Sequence, residues 1–416
     1  MNKYIYHILF LSCIVVSMFP NYELTFAVWT LSFLLTLRKT YSVVLIKYIL
    51  IFFSILVIAF ISSFFDKATL FLKIRDFTYL AKPILGMLVG YQLCLHSSKK
   101  ALRLFVYTGL FLALLHLIIV FIIFLNYKTL DMNLIRSKAG YFSDYEIYVL
   151  ILLLFRKEFK LEFSRKRAFL ILIIVGFSSF LYLARTNVIQ FVILFIGLKG
   201  YFTLNKQAIK VLTTVILSTL LAYGAIYYSN PKRNGKGIEG FLYKIKIAPI
   251  EPFKTKINKE DWKDFNDNYR SFENIIAVKQ VSKNGYRAIF FGEGLGSSLN
   301  LGRLVLSNDG EYVRYIPIVH NGYMTVFLKS GILGVIFLIS FIIILFRQKK
   351  SEIPIVNQVN YLLIGTAVFL IISNWVFLGL YLKLDNKSII IGFFIALKQI
   401  LNREQTILLQ NKTNEN

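Results

Sequence analysis

Long apolar runs, separated by polar connections, set the pattern of this chain. A window of about 19 residues, roughly what a helix needs to cross the hydrocarbon core of a bilayer, finds about 12 such runs. They lie near 4–20, 22–37, 43–65, 79–95, 101–125, 141–155, 168–184, 187–202, 208–228, 319–346, 358–382 and 387–401. The pattern predicts an all-α integral membrane protein, built as a bundle of about 12 transmembrane helices.

One polar stretch breaks this pattern, and it is called the insert here: residues 229–317. So long a segment between apolar runs is more than a connector, and such segments often carry function. The predicted domains are 1–228 with helices 1–9, the insert, 318–401 with helices 10–12, and a tail at 402–416.

The composition of the insert predicts a folded, partly helical cap, because a disordered tether would hold fewer aromatic residues. Residues 275–281 have the pattern of a short amphipathic helix, and the glycine-rich stretch 292–296 predicts a turn after it. The aromatic residues expected to form a small core are Trp262, Phe265, Phe272, Phe290 and Phe291.

Basic residues concentrate in alternate connections, and cytoplasmic connections are the ones rich in Lys and Arg. These residues are Arg38, Lys39, Lys99, Lys100, Arg103, Arg156, Lys157, Arg165, Lys166, Arg167, Lys206, Lys210, Arg347, Lys349 and Lys350. Both termini are therefore predicted to be cytoplasmic. The insert is predicted to lie on the outer side of the membrane.

Composition excludes several classes of protein. With 56% hydrophobic residues and a mean hydropathy of +0.62, the chain is not a soluble globular protein. Cys13 and Cys94 lie in apolar runs and the histidines show no ligand spacing, so we expect neither a disulfide framework nor a metal or other cofactor. The net charge of +26 follows in part from membrane orientation, so no nucleic-acid partner is expected.

Orientation does not explain the basic residues on the predicted outer side. They are Arg75, Lys82, Arg136, Lys138, Arg185, Arg270 and Arg287. An anionic ligand at the outer leaflet would explain them.

Arg185 and Arg270 are the leading candidates to bind that anion. Arg185 lies in a tight connection between two apolar runs, where a guanidinium suits bidentate binding of phosphate; the alternative is a snorkelling interfacial arginine. Arg270 precedes the amphipathic segment of the insert, and its alternative role is a surface ion pair with Asp267 or Glu273. Arg287 carries the same two interpretations.

His320 precedes the apolar run after the insert, so it is predicted at the outer mouth of the bundle. A histidine there can take a proton from an attacking hydroxyl, and Asn321 or Tyr323 can orient the ring or the acceptor. The alternative is a polar residue that merely caps the helix.

The chain resembles the superfamily of bacterial O-antigen polymerases and O-antigen ligases, which are envelope glycosyltransferases. The resemblance rests on Arg185, on Arg270 followed by Phe-Phe-Gly-Glu-Gly-Leu-Gly at 290–296, and on His-Asn-Gly-Tyr at 320–323. The last of these motifs leads into Leu-Lys-Ser-Gly-Ile-Leu-Gly at 328–334. Two positions depart from the pattern: Ala184 stands where the family often has Ser, and the acidic residue common near Lys329 is absent.

The resemblance implies a donor in which a glycan is attached to a polyprenyl pyrophosphate at the outer face of the bacterial plasma (inner) membrane, so the insert would be a large periplasmic loop. Arg185 and Arg270 would hold the pyrophosphate, His320 would assist the acceptor hydroxyl, and metal-free displacement would invert the anomeric centre. The implied substrate-binding residues are Arg287, Asn321, Tyr323, Arg75 and Lys82. The expected partners are the lipid-linked oligosaccharide, membrane lipids, and a chain-length regulator and flippase of the same pathway.

Three functions remain open on this basis. A polymerase would join repeat units into O-antigen, capsule or exopolysaccharide, and this is the function expected. A ligase would move the finished glycan onto lipid A core or another acceptor with the same residues. A flippase for lipid-linked oligosaccharide would suit the number of apolar runs, but would not require a folded insert.

Overall fold

The computed structural model describes residues 3–19, 21–65, 67–97, 100–128, 132–203, 205–235, 238–251, 253–306, 310–383 and 385–414. Pro20 at the end of the first apolar run, Lys99 of the basic connections and residues 415–416 of the predicted tail lie outside these ranges.

Every apolar run forms a helix, as predicted. The helices are α1 (Lys3–Val15), α2 (Tyr22–Leu35), α3 (Val43–Ser62), α4 (Leu70–Ser97), α5 (Ala101–Tyr127), α6 (Met132–Ala139), α7 (Asp144–Leu154), α8 (Arg165–Leu181), α9 (Arg185–Leu198), α10 (Lys206–Ser229), α11 (Ile238–Ile247), α12 (Trp262–Asp267), α13 (Tyr269–Lys283), α14 (Gly285–Phe291), α15 (Gly322–Phe346), α16 (Pro354–Val376) and α17 (Lys387–Asn414). Helix α17 continues without a break past residue 401, where the predicted tail begins.

Five helices among the described residues are long and apolar enough to cross a membrane: α3 with the turn that follows it, α5, α10, α15 and α16. Others are shorter; α7 has 11 residues, which at ~1.5 Å per residue is about 17 Å against a hydrocarbon core of about 30 Å. Almost all of α7 is buried, so neighbouring protein rather than lipid surrounds it. The membrane character of the chain is therefore supported.

The insert folds into helices α11 to α14 and an antiparallel hairpin, β1 (Leu299–Leu306) and β2 (Tyr312–Ile316), with Leu299 opposite Ile316. The amphipathic helix predicted at 275–281 is confirmed as part of the longer α13. Glycine residues follow α14, as the predicted turn required, and Gly292 has a φ of +78°.

The predicted aromatic core of the insert is correct only in part. Phe265 and Phe272 are buried, but Trp262 is 70% exposed and Phe290 and Phe291 are about half exposed, so the prediction was wrong for those three. The core is completed instead by apolar residues of β1 and α15, including Phe327. The insert therefore shares its core with the bundle and does not form a separate one.

A break in α15 receives the glycine-rich turn of the insert. Gly331 has a φ of +64°, so the helix is interrupted there. Hydrogen bonds from the amides of Glu293 (2.8 Å) and Gly294 (3.1 Å) reach the carbonyls of Leu328 and Lys329. The turn thus supplies partners for carbonyls beside the break, which a buried helix break requires.

Glycine is needed on both sides of this joint. A Cβ on Gly292 would lie 2.4 Å from the carbonyl carbon of Lys329, and one on Gly331 would lie 2.4 Å from the carbonyl oxygen of Phe290. Both residues also have positive φ, which L side chains tolerate poorly. Two glycine motifs far apart in sequence therefore form one joint, which fixes the insert to α15.

A buried ion pair lies beside the joint. Lys329 of α15 binds the Asp76 carboxylate of α4, and both side chains are at most 2% exposed. Asp76 also accepts the amide of Gly296 (2.7 Å), and Lys329 donates to the carbonyl of Ser297. One charged cluster therefore joins α4, α15 and the insert.

Candidate functional site

His320 and Glu273 form a hydrogen-bonded pair at the junction of the insert and α15. Nδ1 of His320 lies 2.9 Å and 3.0 Å from the two carboxylate oxygens of Glu273, and the His320 amide donates to the same carboxylate at 2.8 Å. The Glu273 side chain is fully buried, whereas the His320 side chain is 49% exposed. The pair therefore has a fixed inner end and an accessible outer end.

This geometry makes His320 suited to act as a base. Glu273 has no proton to give when ionised, so Nδ1 carries the hydrogen and Nε2 keeps a free lone pair. The ring of Tyr269 packs edge-on against the imidazole, with centroids 6.0 Å apart, and limits its rotation. Nε2 is thus the atom available to accept a proton from a ligand.

The charge on Glu273 also sets the affinity of His320 for a proton. Desolvation disfavours the imidazolium, but the hydrogen bond and negative charge of Glu273 outweigh it. The positive charge of nearby Arg270 opposes this effect, and Glu251 adds to it. The net result is that the pKa of His320 is raised above its ordinary value of 6.5.

Arg270 lies at the start of α13, one turn before Glu273. Its guanidinium is 3.4 Å from the carboxylate of Glu251 and lies over the ring of Phe377, 5.1 Å from the centroid. Its ion-pair partner is thus Glu251, and not Asp267 or Glu273, because those two carboxylates already bind Arg233 and His320.

Arg185 is the first residue of α9, in the tight connection that the sequence predicted. Leu183 has a φ of +45° there, which turns the chain sharply between α8 and α9. The partly buried guanidinium of Arg185 donates to the backbone carbonyl of Lys244 in α11, so the insert reaches down to this connection. Arg185 also interacts electrostatically with Glu251 and Arg270.

Two further cations belong to this group, and sequence reasoning did not place them in the site. Arg136 of α6 and Lys244 of α11 interact electrostatically with Arg185 and with each other. Desolvation, followed by the charges of Arg136 and Arg185, lowers the pKa of Lys244 below its ordinary value. Nε of Arg136 is buried without a hydrogen-bond partner among the described residues. An excess of outward cations was the only sequence signal for Arg136, and Lys244 had none.

The cationic cluster is defined as Arg136, Arg185, Lys244 and Arg270. Glu251 is the carboxylate that faces it, since Glu251 pairs with Arg270 and interacts with Arg185 and His320. Gathering like charges around one carboxylate costs free energy unless an anion neutralises them. Such a cluster has the charge and the hydrogen-bond donors that an anion carrying more than one charge requires.

The residues that follow His320 have structural roles in the chain as it stands. Asn321 is the N-cap of α15 and accepts the amide of Met324 at 3.1 Å, while its own Nδ2 is buried without a partner among the described residues. The hydroxyl of Tyr323 reaches the carbonyl of Ile371 at 3.4 Å. Asn321 therefore fixes the chain direction at His320, and Tyr323 flanks the same mouth of the bundle.

The other residues expected to bind substrate have contact partners outside the cationic cluster. Arg75 pairs with Asp76 at 3.3 Å, beside the insert joint. Lys82 is buried and donates to the carbonyls of Leu382 and, at 2.8 Å, Lys383. The Arg287 guanidinium lies 4.7 Å over the ring of Phe65. The contacts of Arg75 and Lys82 hold the fold together.

Metal-ligating side chains do not converge on this site. Within the part of the chain that the structure describes, no group of three or more His, Cys, Asp or Glu residues is placed to hold a metal ion. Comparison with known proteins adds nothing to this geometry: no protein-family model matches the chain, and no curated protein matches it.

Proposed function

We propose that this protein is a polysaccharide polymerase that joins polyprenyl-pyrophosphate-linked oligosaccharide repeat units at the outer face of the plasma membrane. The observation that supports this function best is the meeting of the cationic cluster with the His320–Glu273 pair, since Arg270 and Glu251 interact with both. An anion site beside a base is what glycosyl transfer from a pyrophosphate donor requires.

In this reaction the cationic cluster binds the pyrophosphate of the donor. As the bond between the anomeric carbon and the pyrophosphate oxygen breaks, the electron pair leaves with the pyrophosphate, and the guanidinium groups stabilise the growing negative charge. Before the donor binds, Glu251 is paired with Arg270. The pyrophosphate of the donor then replaces Glu251 as the partner of Arg270.

The acceptor hydroxyl attacks from the opposite face of the sugar, and a new glycosidic bond forms at the anomeric carbon. Nε2 of His320 takes the proton of that hydroxyl, and Glu273 stabilises the resulting imidazolium. A single displacement inverts the configuration. No step requires a metal ion, because arginine supplies the positive charge.

The proposed placement follows the predicted orientation. With about 12 spans and a cytoplasmic N-terminus, the C-terminus also lies in the cytoplasm and the insert lies in the periplasm. The insert then covers the site as a cap. Helix α7 reaches only part of the way across and is enclosed by its neighbours. This arrangement lets a lipid-linked donor approach from the outer leaflet.

Activity should depend on pH through His320. The neutral imidazole is the active form, so kcat/KM should rise with pH and reach half its maximum above pH 6.5, since the pKa of His320 is raised. Replacing Glu273 by Gln removes the charge that raises this pKa, so the midpoint should move to lower pH. Initial rates of transfer across a pH series would measure both midpoints. A Glu273→Gln variant whose midpoint is unchanged or higher would contradict the role of the pair.

The function can be tested in cells of the source bacterium that lack this protein. Complementation with the unaltered chain should restore long polysaccharide, whereas Arg185→Ala and Arg270→Ala should leave single repeat units. Arg314→Ala is the matched control, because this arginine is exposed on β2, outside the cationic cluster, and should support full-length polymer.

The products also separate the competing functions. Long polymer that stays on the lipid carrier in the deletion strain would indicate a ligase. Repeat units trapped on the cytoplasmic side would indicate a flippase. Full-length polymer from both arginine variants would refute the site.

A further inference from the structure

A cleft opens in the insert beside the cationic cluster. It has a volume of about 450 Å³ and lies between α11, the segment after it and α12. This volume is within the range of about 300–1,000 Å³ that is usual for small-molecule sites. The cleft contains none of the residues given a role in transfer above.

The cleft combines an apolar floor with fixed polar groups. Ile247 and Ile250 contribute apolar surface, while Tyr243, Asp264 and Asp267 contribute polar atoms. The Tyr243 hydroxyl donates to Asp267 at 2.6 Å, so neither group is free to rotate. Polar groups held in place over apolar surface are typical of sites that fix the orientation of a ligand.

Asp264 is held in place by several bonds of its own. Its carboxylate accepts the Asn258 amide at 2.8 Å and the Asn268 side-chain amide at 2.9 Å, and it pairs with Lys254. Hydrogen bonding to Lys254, first among the causes, lowers the pKa of Asp264, so this carboxylate stays ionised. It is an acceptor for hydroxyl or amide hydrogens.

Trp262 is an exposed aromatic residue that is linked to the cleft through Arg233, although it is not part of the lining. Trp262 stands between two lining residues, Asp261 and Lys263, and is 70% exposed. The Arg233 guanidinium covers one face of its ring, 4.6 Å from the centroid, and Arg233 is in turn fixed by Asp267. The exposed ring is large and apolar, so its contact with water is unfavourable. A ligand that covers the ring would remove this contact.

The cleft adjoins the transfer site along the chain at two places. Ile250 lines the cleft, and the next residue, Glu251, pairs with Arg270. Asn268 lines it as well and leads directly into α13, which carries Arg270 and Glu273. A ligand that fills the cleft therefore ends near the reacting groups.

We propose that this cleft binds the glycan of the substrate, a hydroxyl-rich chain of neutral or amino sugars. Sugars present apolar C–H faces, which match Trp262 and the isoleucine floor, and hydroxyl edges, which match the fixed carboxylates. Lys254 pairs with Asp264 and Arg233 pairs with Asp267, so the cleft offers little net positive charge to an acidic glycan. This inference rests on the proposed function, whose anion site holds the other end of the same molecule.

Direct binding tests this assignment without relying on transfer. The probe is the free oligosaccharide released by mild acid from the lipid-linked repeat units of cells that lack this protein, titrated calorimetrically into the full chain in detergent. Trp262→Ala and Tyr243→Phe should each weaken binding about tenfold or more, because they remove the aromatic face and a hydroxyl of the lining. Lys256→Ala, an exposed position outside the cleft, is the matched control and should bind as the unaltered chain does.

The outcomes separate this proposal from the proposed function. Binding that survives Arg185→Ala and is lost with Trp262→Ala supports the cleft, whether or not transfer occurs. Unchanged affinity in both cleft variants, or no binding by a protein that does transfer sugar, overturns the cleft and leaves the polymerase function standing. Tighter binding of an oligogalacturonate than of the repeat unit would overturn the stated sugar class.

Discussion

Replacing His320 by alanine should reduce kcat/KM for glycosyl transfer by about 10²–10⁴-fold, the usual contribution of a positioned base. The reason is that Nε2 is the accessible end of a pair whose other end is fixed by a buried carboxylate. Binding of the donor should change little, because the cationic cluster holds the pyrophosphate. Single-turnover transfer and equilibrium binding of the donor, measured on the same preparation, would check both parts.

The matched control for His320 uses the next residue, Asn321, which is the N-cap of α15. Asn321→Asp keeps an oxygen that can cap α15, so the chain should still enter the helix correctly at His320. Transfer should then remain far above that of His320→Ala. Equal losses in both variants would mean that the region is needed only for folding, and an active His320→Ala variant would refute the role of the base.

Replacing Lys329 by methionine should lower the free energy of unfolding by about 3–5 kcal/mol, the usual cost of leaving one buried charge without its partner. Asp76 would lose its buried cation and keep the Gly296 amide and the partly exposed Arg75, which lies 3.3 Å away. Because this pair joins α4, α15 and the insert, the insert should detach first. Denaturant unfolding in detergent, followed together with protease cleavage of the insert, would measure the loss and its location.

Two controls distinguish charge pairing from general sensitivity to substitution. Lys283→Met, at the exposed end of α13, should leave stability within about 0.5 kcal/mol of the unaltered chain. The double variant Lys329→Met with Asp76→Asn should recover part of the loss, because it removes the unpaired charge. A single Lys329→Met variant as stable as the unaltered protein would contradict a structural role for the pair.

The helices of the bundle could be predicted because a helix that faces lipid and a helix that is buried in the protein both require a run of apolar residues. The start of α4 could not, since Arg75 and Asp76 interrupt the apolar pattern that marks the rest of the helix. The helix begins at Leu70 all the same, because Asp76 is neutralised by Lys329 from a distant part of the chain. Hydropathy does not register a pairing of this kind.

The site was predictable to a similar degree. Arg185, Arg270 and His320 were identified by their positions beside the insert, and the structure brings them together. Glu273 was considered only as one of two alternative ion-pair partners of Arg270, because its observed partner His320 follows at the far end of the insert. In the structure Arg270 pairs with Glu251 instead. Local sequence patterns do not show ion pairs between residues that are far apart in the chain.

The glycine motifs illustrate the opposite case. The sequence predicted a turn at 292–296, and the resemblance to a glycosyltransferase superfamily rested partly on this stretch and on 328–334, but no contact between the two was expected. The structure supplies one, because Gly292 and Gly331 let two backbones meet at the break in α15. These motifs therefore join the insert to α15.

The most direct test of the central claim uses the purified protein in lipid nanodiscs with the polyprenyl-pyrophosphate-linked repeat unit as the only substrate. Mass spectrometry of the products should show chains of two or more units and release of free polyprenyl pyrophosphate. Both products should disappear in the Arg270→Ala variant and persist in Arg314→Ala. Folded protein that binds this donor but forms no glycosidic bond would contradict the account.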